Sequence, residues 1–169
     1  MTTMIVLAMH GAPPVDFPRK ELAEFFKLHV QMEHAPDDIR KKIGPGYAVL
    51  EGKIRTWPRT AENDPFFAGA MEMARELSSL SGCEVVVGFN EFCSPTLSEA
   101  IASACESDPE KVVVLTPMMT RGGEHAEIDI PREIENARLS HPGIPIVYAW
   151  PFEVSDVARF LSSHMKGFV

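Results

Sequence analysis

The sequence predicts an α/β fold, a single doubly wound domain over residues 1–169 with a four-stranded parallel sheet of order 2-1-3-4. Three observations lead there. Short runs rich in Val, Ile or Leu recur at 4–9, 83–89, 111–116 and 145–149. Longer stretches between them repeat apolar residues at helical spacing, and that alternation is the mark of a parallel sheet with helices on both faces. The run Val112-Val-Val-Leu115 is continuously apolar and mostly β-branched, as a strand covered on both sides must be.

Taken in order, the first strand is Met4-Ile-Val-Leu-Ala-Met9. A helix over 18–34 follows, with Leu22, Phe25, Phe26 and Val30 near one face and Asp16 placed to cap it. A helix over 65–80 has Asp64 at the cap and Pro65 in the first turn, where its missing N–H costs nothing. The second strand, 83–89, leads to a helix over 96–106 that opens Thr96-Leu-Ser-Glu99, the capping-box pattern. After the third strand, Gly122-Gly123 allows a sharp turn before a helix over 131–139. The fourth strand and a helix over 154–165 complete the chain. One segment breaks the rhythm. Residues 36–62 contain Gly44-Pro45-Gly46, Gly52 and Pro58 together with Lys41, Lys42, Lys53, Arg55 and Arg59. A connection of this length reads as an inserted basic segment that is a binding loop, a disordered stretch or a mobile lid over an anionic ligand.

Charge and composition exclude several classes. A net charge of -8 argues against nucleic acid as the main partner, although a local basic cluster could still hold an anionic small molecule. No apolar run nears the roughly 20 residues that span a bilayer. The start Met1-Thr-Thr-Met-Ile lacks a basic leader region, so a cytoplasmic protein without signal peptide is expected. Cys83, Cys93 and Cys105 form no C-x-x-C pair, which suits small buried hydrophobes in a reducing compartment rather than a structural zinc site.

Six histidines are present, and two stand apart. His10 directly follows the first strand, and His125 ends the glycine turn after the third. In the order 2-1-3-4 these strands are neighbours, and ligands gather where such a sheet changes direction. The second strand brings Glu91 to the same edge. Two imidazoles and a carboxylate suit a divalent first-row ion with coordination positions left open. Imidazole also accepts protons near neutral pH. His29, His34, His141 and His164 are expected in packing or solvated roles, with His34 within reach of the cleft if the first helix leans over it.

Together His10-Gly11, the stretch Phe89-Asn-Glu-Phe-Cys-Ser-Pro95 with its Glu91, and Gly122-Gly-Glu-His125 followed by Asp129-Ile-Pro131 resemble the class II tetrapyrrole chelatases. The nearest type is the small sirohydrochlorin cobaltochelatase, related to the sirohydrochlorin ferrochelatases. The resemblance covers residues 4–12 and 82–152. It implies a chelatase-like domain that inserts Co2+ or Fe2+ into a metal-free tetrapyrrole such as sirohydrochlorin, in cobalamin or siroheme biosynthesis. The metal is substrate, and neither ATP nor an organic cofactor is needed. His10 and His125 would be the catalytic, metal-binding pair, with Glu91 as the assisting carboxylate. Met118, Met119 and Arg121 would contact the macrocycle. Longer relatives have two such units, which implies a homodimer here. The first motif reads Met9-His-Gly-Ala-Pro13 where the family usually has Gly-His-Gly-Ser.

Two rival readings are distinguished by chemistry. A histidine phosphatase also has His-Gly after its first strand, but it requires an arginine before the histidine, and here that residue is Met9. A non-catalytic metal or tetrapyrrole carrier would use the same ligands as a chelatase and differ only in lacking turnover.

Overall fold

A computed structural model describes residues 2–169, the side chain of Glu33 excepted. The elements run β1 (Thr3–Met9), α1 (Arg19–His34), α2 (Asp37–Arg55), α3 (Pro65–Ser81), β2 (Glu84–Phe89), α4 (Leu97–Glu106), β3 (Lys111–Leu115), α5 (Ile130–Ser140), β4 (Ile146–Tyr148) and α6 (Val154–Met165). All strand pairs are parallel, in the order β2-β1-β3-β4. Fold class and strand order are those the sequence predicts.

Each face of the sheet carries its own core. On one side Val6, Val112, Val114 and Ile146 pack against Leu97, Ala100 and Ile101 of α4 and Ile130 and Ile134 of α5. Gly88 permits this approach: a Cβ there would lie 2.7 Å from the Ala100 side chain and 2.9 Å from the Leu97 backbone. On the other side Ala70 and Ala74 of α3 meet Leu7, Met9, Val87 and Phe89. The predicted caps form at α3, where Asp64 accepts from Phe67 N, and at α4, where Thr96 and Glu99 close a capping box. Asp16 does not cap α1. The helix starts after Pro18, and Asp16 instead accepts from Trp57 Nε1 at 3.0 Å and Asn63 Nδ2 at 3.2 Å.

The largest departure from the sequence reading is α2. Residues 37–55 are helical straight through Gly44-Pro45-Gly46 rather than an irregular loop. A proline inside a helix costs about 3 kcal/mol, and tertiary packing must offset it. Ile54 is fully buried with Phe17 and Phe25, and Tyr47 and Leu50 pack beside them. The α1–α2 pair thus forms a third small core next to the carboxyl edge of the sheet. The basic residues within 36–62 take different parts. Lys53 pairs with Glu21 at 2.6 Å, Lys41 and Lys42 are exposed, and Arg55 and Arg59 turn inward.

Candidate metal centre

The end of β1 and the end of β2 stay paired past the last strand residue. Asn90 N donates to Met9 O and Glu91 N to His10 O, both at 2.9 Å. This places the His10 and Glu91 side chains side by side. Gly11 makes the approach possible, since its φ is +107° and an added Cβ would sit 1.9 Å from Glu91 O. Phe92 also has a positive φ, 57°, a conformation costing a bulky residue about 1–3 kcal/mol. Its ring lies 6.0 Å from those of both Phe25 and Phe26.

Two arginines of the supposed lid hold this strained loop. Arg55 donates to the carbonyls of Cys93 at 2.9 Å and Asn90 at 3.3 Å. Arg59 donates to Phe92 O at 2.5 Å, Ala12 O at 2.7 Å and Ile54 O at 2.8 Å. It also pairs with Asp64, and both side chains are almost wholly buried. Cys93 lies against the same group, 3.7 Å from Asp64 Oδ2, and burial pushes its thiol pKa up, keeping it protonated. Two of the five basic residues of the segment thus fix the loop that carries Glu91.

His125 reaches the same point from the other side. The structure starts the helical path at Glu124, earlier than the sequence reading, and 125–129 form one wide turn in which Ile130 N donates to His125 O. Pro131 explains the width, because its ring would clash with the carbonyl four residues back in a regular helix. Tyr148 donates its hydroxyl to Ala126 O at 3.0 Å and anchors the turn. Burial pushes the Tyr148 pKa up to about 12, so this donor stays neutral throughout the physiological range.

The three residues converge. One ligand atom from each of His10, Glu91 and His125 lies within 4.8 Å of the others. His10 Nδ1 is 3.6 Å from Glu91 Oε2, His125 Nε2 is 3.5 Å from Glu91 Oε1, and the two imidazoles meet edge to face at 4.5 Å. These separations suit a bridging ion better than direct hydrogen bonds. His10 is exposed at the rim, and the other two are half-buried.

Sequence reasoning missed one member of the group. Asp129 Oδ2 accepts from His125 Nδ1 at 2.7 Å, and its other oxygen accepts from Arg132 at 2.5 Å. The carboxylate fixes the tautomer, leaving Nε2 as the lone-pair donor toward the site. The i, i+4 spacing of the two residues was the available signal. Asp129→Asn is expected to weaken metal binding about 10–100-fold, the usual effect of losing such a partner. Calorimetric titration with Co2+ measures it, and unchanged affinity would show that the carboxylate does not orient the ring.

Beside the triad opens a cavity of about 620 Å³. Phe25, Tyr47 and Phe92 line one wall and Glu91, His125 and Asp129 another. His29, expected from sequence in a packing or solvated role, also lines it, with Nδ1 3.2 Å from Tyr47 Oη. Carboxylates outnumber the arginines of the lining, Arg55 and Arg132, and both arginines already hold partners. Met118, Met119 and Arg121 are not among the residues lining this cavity. Met118 packs on the core, Met119 is exposed, and the Arg121 guanidinium sits 5.7 Å over the Trp150 ring.

Among the described residues, no helix is long and apolar enough to cross a membrane. Over 48 residues the chain is 46% identical to a sirohydrochlorin cobaltochelatase of Methanopyrus kandleri, a match covering 28% of this chain and 33% of that protein. Over 70 residues it is 29% identical to a sirohydrochlorin ferrochelatase of Priestia megaterium, covering 41% of this chain and 26% of that one. The matches therefore span a third or less of these relatives. Among solved structures, the cobalt complex of the sirohydrochlorin chelatase SirB from Bacillus subtilis subspecies spizizenii aligns with a TM-score of 0.49 and 18% identity, over 99% of this chain and 51% of that one. A putative cobalamin biosynthesis CbiX protein from Marinobacter aquaeolei VT8 aligns with a TM-score of 0.46 and 17% identity, over 98% and 95%. The CbiX family model matches residues 63–161, which include Glu91 and His125 but not His10. That match takes in more than half of the sequence, and the chain belongs to the CbiX family.

Proposed function

We propose that this chain is a chelatase that inserts a divalent metal, Co2+ or Fe2+, into a metal-free tetrapyrrole such as sirohydrochlorin, acting as a homodimer. The observation carrying this reading is the convergence of His10, Glu91 and His125 beside a cavity with an aromatic wall. The names of the matched relatives support the choice of macrocycle. The reaction exchanges two pyrrole protons for one M2+, so the site must strip water from the metal and accept protons. His125, held by Asp129, and His10 supply lone pairs for both tasks, and Glu91 supplies charge that favours the cation. The acidic lining acts in the same sense. The macrocycle, flat and apolar on its faces, is assigned to the wall of Phe25, Tyr47 and Phe92.

The test is an anaerobic absorbance time course of metal-free sirohydrochlorin with Co2+ or Fe2+ and a small fraction of an equivalent of protein. Many equivalents of metallated product are expected. Formation of product only up to one equivalent would favour the carrier reading, and a rate equal to that without protein would remove both.

A further inference from the structure

Each lone pair of the metal centre can serve one task at a time. An imidazole nitrogen that ligates a cation cannot accept a proton at the same moment, and the second ring nitrogen of His125 is already bonded to Asp129. While M2+ rests on His10, Glu91 and His125, the first pyrrole proton therefore needs another acceptor. The aromatic wall of the cavity holds one. Tyr47 of α2 and His29 of α1 both line the cavity, with Tyr47 Oη 3.2 Å from His29 Nδ1. Their rings lie at 27° with centroids 5.9 Å apart, and Phe25 stacks on both, 5.3 Å from Tyr47 and 5.7 Å from His29. Each is half-buried, packed on one side and open to the cavity on the other. Glu51, one helical turn on from Tyr47, lines the cavity too, but Arg55 holds its Oε1 through bonds of 3.2 and 3.3 Å. A carboxylate paired with a guanidinium is a poor proton acceptor.

We propose that Tyr47 is a further catalytic residue, relaying the first pyrrole proton of the macrocycle to His29. In the relay the ring N–H gives its proton to Tyr47 Oη as the hydroxyl's own proton passes to His29 Nδ1. The N–H electron pair stays on the pyrrole nitrogen and forms its bond to M2+. His29 ends the step as imidazolium and returns its proton to water. The handover is concerted, because neither a protonated phenol nor a phenolate persists near neutral pH, whereas imidazolium forms there readily. The second pyrrole proton goes to His10 or His125, whose lone pairs are released as the metal passes into the ring. The segment 36–62 thus contributes a reacting group to the site.

The proposal rests on the chelatase reading, and the experiment separates the two. Single-turnover absorbance traces follow metal-free sirohydrochlorin mixed anaerobically with excess protein and saturating Co2+, for wild type, Tyr47→Phe and His29→Gln. Tyr47→Phe keeps the ring of the wall and removes only the hydroxyl. His29→Gln keeps a hydrogen-bond acceptor for that hydroxyl but no base. Both should metallate about 10²–10⁴-fold more slowly, the range for loss of a general base. Co2+ affinity by calorimetry and macrocycle affinity by fluorescence titration should match the wild type, which a loss of packing would not allow. Should His29→Gln misfold, Tyr47→Phe decides alone. A saturated rate for Tyr47→Phe within about tenfold of the wild type overturns the relay and leaves the chelatase reading intact. A wild type that metallates no faster than the protein-free control overturns that reading itself.

Discussion

Replacing His125 by alanine is expected to lower metallation turnover by about 10²–10⁴, the range associated with loss of a general base, with loss of a metal ligand added to it. His125 is the more buried of the two imidazoles and is held through Nδ1 by Asp129. His10→Ala should fall in the same range, while its exposure leaves more room for water or buffer to substitute. His10→Ala should leave thermal stability within about 0.5 kcal/mol of the wild type, as for surface substitutions generally, and His125→Ala should lower it by about 1 kcal/mol through loss of the bond to Asp129. Glu91→Gln keeps a ligand oxygen and removes charge, so its main effect should be a higher metal concentration for half-maximal rate. Initial rates against metal concentration distinguish these cases. A double His10→Ala/His125→Ala protein that still metallates sirohydrochlorin well above the protein-free rate would sink the assignment of both residues.

The largest expected loss of stability comes from Arg59. Arg59→Met leaves the Asp64 carboxylate buried without its partner and deprives the carbonyls of Ala12, Ile54 and Phe92 of a donor. Breaking a buried pair in this way costs about 3–5 kcal/mol, which at ~2–4 °C per kcal/mol lowers Tm by roughly 10 °C. Lysine should not rescue it, because a single ammonium cannot reach the acceptors that the guanidinium spans. Arg59→Met/Asp64→Leu should recover part of the loss, since no charge is then left buried. Calorimetric melts of the three variants decide the matter, and equal Tm values for Arg59→Met and wild type would show the pair to be unimportant. Activity should fall further than Tm predicts, since the Phe92 conformation and hence the position of Glu91 depend on the same guanidinium.

The sequence revealed what is local and what strand order forces. The caps at Asp64 and Thr96 involve residues three apart, and their hydrogen bonds form as read. His10, Glu91 and His125 could be brought together on paper because each follows a strand and the strands are neighbours. What stayed hidden depends on distant partners. Gly44-Pro45-Gly46 reads as a helix breaker until Tyr47, Leu50 and Ile54 are seen packed on Phe17 and Phe25. Arg55 and Arg59 look like ligand-binding charges until their carbonyl partners, more than thirty residues away in several cases, are known. His29 joins the cavity only because α2 folds back along α1 and brings Tyr47 beside it.

The wide turn at 125–129 also separates two requirements that a regular helix would couple. In an unbroken α-helix the azimuth of every side chain is fixed at about 100° per residue, so docking Ile130 and Ile134 into the core would dictate where a histidine one turn earlier points. The extra residue in the turn acts as an angular shim, letting the core set the bearing of α5 while His125 faces Glu91 independently. Core residues of α5 can therefore be exchanged for others of similar volume without swinging the imidazole, and the length of the 125–129 turn, more than its composition, governs where the metal ligand points.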